Sequence, residues 1–460
     1  MTSKSTVKQC FVYITLPGQT QAVTAAKYEL ANPETNPVGR FVYGKSYLAR
    51  PDAVEIDPVE LRLGAKIEPT TKLNGIYGAI RDASPDYWGR LIIERASRVA
   101  KLDEMEYLLQ SSDARSGALS FGHNNAPPAP DRHFNTILDL EELQETALAL
   151  LEDKKKTDAA KAEQARRLLL VGTAMGGARP KAVVQDAEGL WIAKFNRPED
   201  RWDSAKVEHT MLQLAKACGI AVAHSRVTTI GNRNVLLVKR FDREKVNDGY
   251  LRARMVSALT LLRSEDSMEA RARGEWSYLA LVEALRRVSS EPRRDAKELF
   301  CRMCFNAAAS NIDDHARNHA VIAMDKPWRL SPAYDLTPSP SVGMERYLQM
   351  IAGDQGTRAS AENLLSQAAR FLVEPDEAQA IVAEVSKCVR AQWYRIARKE
   401  HVTDADCETI RSAFENEGFS FQTQPVTKKS DPQKLPAKKT PGKTGTTTAD
   451  SKKSSRKGRS

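Results

Sequence analysis

Asp313, Asn318 and Asp335 are the residues of this chain whose types and spacing most directly suggest chemistry. They stand in the stretch Asn306 to Pro338. Ahead of it an apolar run, Leu299 to Ala309, reads as a buried helix, which then breaks into Ser310, Asn311, Asp313, Asp314, His315, Arg317, Asn318 and His319. A core helix gains nothing in packing by ending on so many polar groups. His319 to Met324 and Trp328 to Leu330 read as two short strands joined at the Asp325-Lys326-Pro327 turn, and Asp335 follows the second. The hairpin therefore ties the loop of Asp313 and Asn318 to the loop of Asp335. Magnesium-assisted phosphoryl transfer needs such a set: carboxylate and amide oxygens for the metal, and a carboxylate to receive the proton of the acceptor hydroxyl. Asp313 and Asn318 also keep the D-x-x-x-x-N interval of protein-kinase catalytic loops. The competing reading is that these residues cap a helix and make a solvated turn.

The elements that must position these side chains come from both halves of the chain. Cys10 to Leu16, Ala22 to Leu30 and Val38 to Leu48 read as strands of a small β-rich subdomain, with Ala53 to Leu63 as a further strand or edge. Asp82, Ser84 and Pro85 read as the start of a helix carrying Trp88, Leu91, Ile92 and Arg95. Leu138 to Leu151 and Ala159 to Leu170 are helical by composition. Gly172 to Val184 then resembles a phosphate loop without being a Walker A motif, since Ala178-Arg179-Pro180 intervene before Lys181. Gly172, Gly176 and Gly177 can bring backbone N–H groups close to an anion, with Arg179 and Lys181 adding charge, or can simply make a turn. Ala182 to Gln185 and Leu190 to Phe195 form a hairpin that sets Lys194 between Ala193 and Phe195. An ammonium in an apolar strand is costly unless it finds a partner such as a nucleotide phosphate, or snorkels to water. Ser204 to Gly219 is an amphipathic helix. Its Glu208 is placed either to hold Lys194 or to favour the helix N-terminus. Strands at Ala221 to Ile230 and Asn234 to Phe241 follow, and the second runs into charges as a strand leaving a small lobe would. Beyond it the pattern is helical: Ser257 to Leu262, Trp276 to Val288, Arg294 to Ala309, Ala361 to Phe371, Pro375 to Lys399 and Thr403 to Glu415.

Composition narrows the class. At 460 residues, 41% hydrophobic and 28% charged, the chain has room for a large core and two or three domains. It holds no long apolar run that would span a membrane, and its N-terminus lacks the pattern of a secretory signal, so a cytoplasmic protein is expected. The six cysteines fit neither a disulfide framework nor a zinc ribbon, and Cys301 and Cys304 read as thiols on one helical face. Of the net charge of +10, the segment from Lys428 onward carries +9, with eleven basic residues against Asp431 and Asp450. The rest is nearly neutral, which argues against a broad DNA-binding face on the folded part. Residues past Phe421 are expected to be disordered. A second reading makes this polybasic tail the working part of a non-catalytic, kinase-like binding module that touches nucleic acid or an acidic partner.

Taken in order, GAIRDASPDYWGR, LLQSSDARSGALSF, MGGARPKA, WIAKF, the Glu208 helix, VKRFDR, NIDDHARNHAV and LSPAYDLTPS resemble the HipA family of toxin kinases from bacterial type II toxin–antitoxin modules. The resemblance covers nearly all of the chain except the basic tail. It implies an α+β fold with a two-lobed kinase plan: an N-terminal subdomain (1–125), a small lobe (126–240), a helical large lobe (241–420) and the tail (421–460). It implies ATP- and Mg²⁺-dependent phosphorylation of serine or threonine in a cytoplasmic protein such as an aminoacyl-tRNA synthetase. It also implies a small DNA-binding antitoxin as partner, with DNA touched only indirectly or weakly through the tail, and no membrane. Residue by residue, Asp313 is then the catalytic base and Asn318 and Asp335 are the metal ligands. Lys194, held by Glu208, is the nucleotide-phosphate lysine, and Gly176, Gly177, Arg179 and Lys181 belong to the phosphate-facing loop. Lys239 to Phe241 form the adenine-side hinge. One departure concerns self-phosphorylation: Ala174 occupies the place where the family often has a serine, which leaves Thr173 as the substitute.

Overall fold

The N-terminal residues fold first into a sheet of four antiparallel strands in the order β3-β2-β1-β4, where β1 is Val7–Thr15, β2 Ala22–Ala31, β3 Val38–Tyr43 and β4 Leu119–Gly122. Buried and more exposed residues alternate along β3, as the period of two requires, whereas β1 is buried on both faces from Val12 to Thr15. Between β3 and β4 run α1 (Lys45–Leu48), α2 (Gly78–Asp82), α3 (Tyr87–Ser97) and α4 (Glu104–Gln110). A capping box starts α4: the Asp103 carboxylate accepts from the Glu106 N–H at 3.0 Å, and the Glu106 carboxylate accepts from the Asp103 N–H at 2.9 Å.

The second sheet has the order β5-β6-β7-β9-β8, with β5 (Asn135–Thr136), β6 (Lys181–Asp186), β7 (Gly189–Phe195), β8 (Ser225–Ile230) and β9 (Arg233–Lys239). All its pairs are antiparallel except β5 with β6. α5 (Leu140–Glu152) and α6 (Ser204–Ala217) belong to the same lobe. Past β9 come a hairpin, β10 (Arg243–Val246) and β11 (Gly249–Arg252), and β12 (Arg254–Ser257). β12 joins β13 (Ala320–Ala323) and β14 (Arg329–Leu330) in a three-stranded sheet. The rest is helical: α7 (Ala258–Leu262), α8 (Met268–Ala272), α9 (Tyr278–Val288), α10 (Pro292–Ala308), α11 (Ala361–Ser366), α12 (Pro375–Lys399) and α13 (Asp404–Phe414).

The computed structural model describes residues 7–64, 66–97, 102–130, 134–152, 179–340 and 345–415. The helix expected at Ala159 to Leu170, the glycine loop with Gly172, Gly176 and Gly177, Thr173 and Ala174, and the basic tail lie outside the described residues. A mixed α+β architecture with a strand-rich and a helix-rich half is what the described residues form.

Three local expectations need correction. Ala53 to Leu63 is no strand: Asp57 is fully buried and its Oδ1 accepts from the N–H groups of Val59, Glu60 and Leu61 at 2.7, 2.6 and 3.2 Å, turning the chain at Pro58. The strand expected from Ala221 starts only at Ser225. Ahead of it Ala223 donates to the Ala333 carbonyl at 2.9 Å, which ties the small lobe to the loop before Asp335. The large lobe does not begin as helix, because the Asn247-Asp248-Gly249 turn folds β10 onto β11 first.

The N-terminal residues serve both lobes. Trp88 and Ile92 of α3 pack with Leu140, Trp191, Phe195 and Leu237 of the small lobe. Tyr28, Ile76 and Ile80 share a larger core with Leu259, Leu299 and Phe305. α2 lies so close to α7 that a Cβ on Gly78 would sit 2.6 Å from the Thr260 hydroxyl oxygen, so only glycine fits there.

Candidate functional site

Lys194 is placed by β7, whose Trp191, Ala193 and Phe195 are completely buried. It lies in register with Lys181 on β6, so two lysines face each other across one antiparallel pair. Like charges opposite each other are unfavourable unless each has its own counter-ion. Here each does: the Lys194 ammonium donates to Glu208 Oε1 and to Asp335 Oδ1, both at 2.6 Å, and Lys181 donates to Asp86 Oδ2 at 3.2 Å.

Glu208 reaches Lys194 because the start of α6 is fixed. The N-cap Asp203 accepts from the Lys206 N–H at 3.2 Å and also from the side-chain amides of Asn196, just past β7, and Asn234 on β9. Asn196 in turn accepts from the Ala205 N–H at 2.9 Å. One helical turn later Glu208 is 4% exposed, aimed inward and not at solvent near the helix end.

The loop after α10 is held by a buried polar chain. Asn311 donates to Asn306 at 3.0 Å, Asn306 donates to the Tyr278 hydroxyl at 3.1 Å, the Tyr278 hydroxyl donates to Asp314, and Asp314 also meets His319 Nε2 at 2.9 Å. Asp314, which the sequence leaves without a role, is thus an internal anchor. Its neighbour Asp313 turns the other way, exposed, with Gln349 Nε2 at 3.5 Å. Desolvation nevertheless raises the Asp313 carboxyl above the usual aspartate range; His315 opposes this, and Asp335 and Asp314 add to it. A single 3₁₀ turn, Ala316–Asn318, then buries Asn318, and Arg317 pairs with Asp266 at 2.8 Å. After β14 the chain reaches Asp335 with φ +59°, a left-handed conformation that costs an ordinary residue about 1 kcal/mol or more. That strain aims the carboxylate at Lys194.

These groups surround one cavity of about 520 Å³, a size that suits a nucleotide. Ile192, Val238, Phe241, Met255 and Tyr334 line an apolar part, where the Phe241 and Tyr334 rings lie 5.6 Å apart. Lys181, Lys194, Glu208, His315, Asn318 and Asp335 line the polar part. Asp82, Asp86, Tyr87 and Ser116 close it from the N-terminal side. The structure thus brings Lys181, Lys194, Glu208, Lys239, Phe241, Asn318 and Asp335 to one wall or another of the same space. Asp313 stands outside the lining but within electrostatic reach of Asp335 and His315. Arg179 also stands outside it, forked onto Asp200 at 2.6 and 3.0 Å.

Burial alone would raise Asp335, but the Lys194 ammonium outweighs it and holds the carboxyl down at about 2. It is therefore a carboxylate at any physiological pH. Burial raises Glu208, with Lys194 opposing, and the two carboxylates lift Lys194 above its ordinary value despite its own burial. Burial lowers Lys181 and raises Asp86, each partner opposing the shift.

The strand leaving the small lobe is fixed by a clamp. Arg240 donates to both oxygens of Asp242, at 3.0 and 2.7 Å, and to the carbonyls of Ala114 and Arg115, each at 2.8 Å. Arg243 donates to Asp242 Oδ2 at 2.8 Å and to the Arg115 carbonyl at 2.7 Å, and the Gly117 N–H donates to Asp242 at 2.9 Å. The N–H groups of Lys239 and Arg240 are already engaged by the carbonyls of His224 and Leu190. Sequence reasoning missed Asp86, whose partner Lys181 is 95 positions on, and the clamp's ties to Ala114, Arg115 and Gly117, 125 or more positions back.

For a hard divalent cation the cavity offers the Asn318 amide and the Asp335 carboxylate. Among the described residues no cluster of three or more His, Cys, Asp or Glu side chains forms a metal cage. One or two protein oxygens, with phosphate and water completing the shell, is the habit of magnesium, so the residues present fit that ion.

Residues 173–393 match the family model described as the HipA-like C-terminal domain. Over 130 residues the chain is 29% identical to the kinase-named protein Y4mE of Sinorhizobium fredii, covering 28% of this chain and 31% of that one. Over 183 residues it is 27% identical to the toxin YjjJ of Escherichia coli K12, covering 37% of this chain and 39% of that one. The matches thus span between about three tenths and two fifths of these relatives. Among solved structures, HipA of Shewanella oneidensis MR-1, determined with HipB and operator DNA, superposes with a TM-score of 0.60. That match covers 88% of this chain and 95% of the other at 16% identity, and it shows a shared fold.

Proposed function

We propose that this chain, whose residues 173–393 match the model of a HipA-like C-terminal domain, is an ATP- and magnesium-dependent kinase that phosphorylates serine or threonine in a protein. The observation that carries the reading is Lys194, bonded at 2.6 Å to both Glu208 and Asp335 at the polar end of a nucleotide-sized cavity that Asn318 also lines. In this reading the apolar slot between Val238, Phe241, Met255 and Tyr334 takes the adenine. Lys194, kept cationic and aimed by Glu208, binds the nucleotide phosphates. Asn318 and Asp335 would hold magnesium, which when bound would offset charge on the transferring phosphoryl group. Asp313, at the open side and with its carboxyl raised above the ordinary range, accepts the proton of the incoming hydroxyl.

The similarity to a protein named as a toxin and to a HipA solved with HipB and operator DNA supports a toxin role. We extend it to a cytoplasmic kinase toxin restrained by a small DNA-binding antitoxin, with a protein such as an aminoacyl-tRNA synthetase as target and Thr173 as the position open to self-phosphorylation. The test is incubation of purified protein with labelled ATP, magnesium and a cell extract. Wild type should label a protein band that mass spectrometry assigns to phosphoserine or phosphothreonine, and Asp313→Ala should not. Equal labelling by the two would overturn the reading.

A further inference from the structure

Away from the cavity, two thiols meet at the back of the helix that carries Glu208. Cys218 caps the C-terminus of α6, Cys388 lies on α12, and their sulfurs are 2.9 Å apart. Both are half-buried, and Gln392 on α12 donates to Cys388 Sγ at 3.3 Å. The other four cysteines have no such partner among the described residues, and Cys10, Cys304 and Cys407 are buried. A disulfide needs its sulfurs at about 2.05 Å, so this pair has to close by only about 0.9 Å. A groove of about 410 Å³ reaches Ala217, next to Cys218, and Gln392, the partner of Cys388; Lys216, Arg395 and Lys399 line it with one carboxylate, Glu400. Three cations against one carboxylate leave the groove positive, so a small anionic reactant is drawn toward the sulfurs.

We propose that Cys218 and Cys388 are a thiol–disulfide modification site that reacts with small anionic disulfides of the glutathione type and, once oxidised, staples α6 to α12. The balance is that of ordinary exchange. Cys388, as thiolate, attacks one sulfur of the oxidant; a protein–glutathione bond forms, the oxidant's S–S bond breaks, and one glutathione thiol leaves. Cys218, on losing its proton to solvent, attacks Cys388 Sγ; the protein disulfide forms and a second glutathione thiol leaves. Two protein thiols are oxidised and one small disulfide is reduced to two thiols. Burial and the neighbouring sulfur raise the Cys218 thiol, which suits it to the second, intramolecular step and not the first. The staple would close a loop of about 170 residues and fix α6 some 15 Å from Glu208 along the helix, in the arrangement that keeps Glu208 on Lys194.

The test uses the full chain in buffers of graded reduced-to-oxidised glutathione ratio, followed by alkylation, non-reducing peptide mapping and thermal melts. The expected result is a peptide linking Cys218 to Cys388, two hydrogens lighter than its separated parts, and a melting midpoint at least about 5 °C above that of the reduced protein. Cys218→Ser should stop at the Cys388–glutathione adduct, show no such rise, and match wild type when both are reduced. No 218–388 peptide in oxidised glutathione alone, linkage to other cysteines instead, or an unchanged midpoint in the linked protein would each overturn the proposal.

Discussion

Two clusters of buried charge flank the same cleft and behave differently. In the hinge clamp, Asp242 accepts four hydrogen bonds, two from Arg240 and one each from Arg243 and the Gly117 N–H, and Arg240 and Arg243 are completed by the carbonyls of Ala114 and Arg115. The set is satisfied within the fold, and the two arginines hold Asp242 far below the usual carboxylate range despite burial. In the cavity, Lys181 and Lys194 face three carboxylates, Asp86, Glu208 and Asp335, around open space. The carboxylates place oxygens, and the ammoniums place donors, beside a space that a divalent cation and phosphate would fill. A charge cluster saturated with the help of backbone carbonyls joins parts of the fold; one in which lysines and carboxylates meet around a cavity is prepared for a ligand.

Variants can break this contrast. Lys194→Met should lower phosphotransfer by about 10³-fold, in initial-rate assays with labelled ATP, while the protein stays folded at neutral pH. Asp242→Ala should do the reverse. It leaves two buried arginines without their carboxylate and should cost about 3–5 kcal/mol in denaturant unfolding, with the rate per folded molecule unchanged within about threefold. If the two effects were exchanged, the distinction would be wrong.

Two pH measurements sharpen it. Asp313 must be ionised to accept a proton, so the rate should rise with pH through its carboxyl's pKa. That acid limb should lie above the ordinary aspartate value of about 3.9, and it should vanish in what activity Asp313→Asn retains. Asp335 is held down at about 2, so it stabilises the fold above its unfolded pKa of about 3.9, and that share is lost as pH falls from there through 2. Its side chain is 37% exposed, which screens the effect; about 1 kcal/mol is expected. The check is wild type against Asp335→Asn by urea unfolding at pH 6 and pH 3, where the difference should shrink at the lower value.

What the sequence made legible follows the same line. Lys194 inside an apolar strand, and Asp335 after a strand pair, are polar residues where the local pattern asks for others, so they can be read from neighbours alone. The amphipathic stripe of α6 located its helix, yet only the tertiary fold distinguishes a Glu208 that favours a helix end from one 2.6 Å from an ammonium. Asp86 helps to start α3, since its Oδ1 accepts from the Gly89 N–H at 2.9 Å. Its second oxygen meets Lys181, 95 positions on, and no periodicity encodes that. β10 and β11 were missed because Arg243 to Arg252 is short and polar. Ala53 to Leu63 misled in the opposite sense, its Ala53, Val54, Ile56 and Leu61 being buried by turns around Asp57 and not by a sheet.

The claim beneath all of this is that the cavity between Lys194 and Asp335 takes a magnesium nucleotide. Calorimetric titration of the full chain with a non-hydrolysable ATP analogue, with and without magnesium, tests it most directly. One site per chain is expected, weakened at least about tenfold by omitting magnesium or by Asp335→Asn and retained in a clamp variant such as Arg243→Lys. Absence of binding by the folded wild type, or equal binding by wild type and Asp335→Asn with magnesium present, would contradict it.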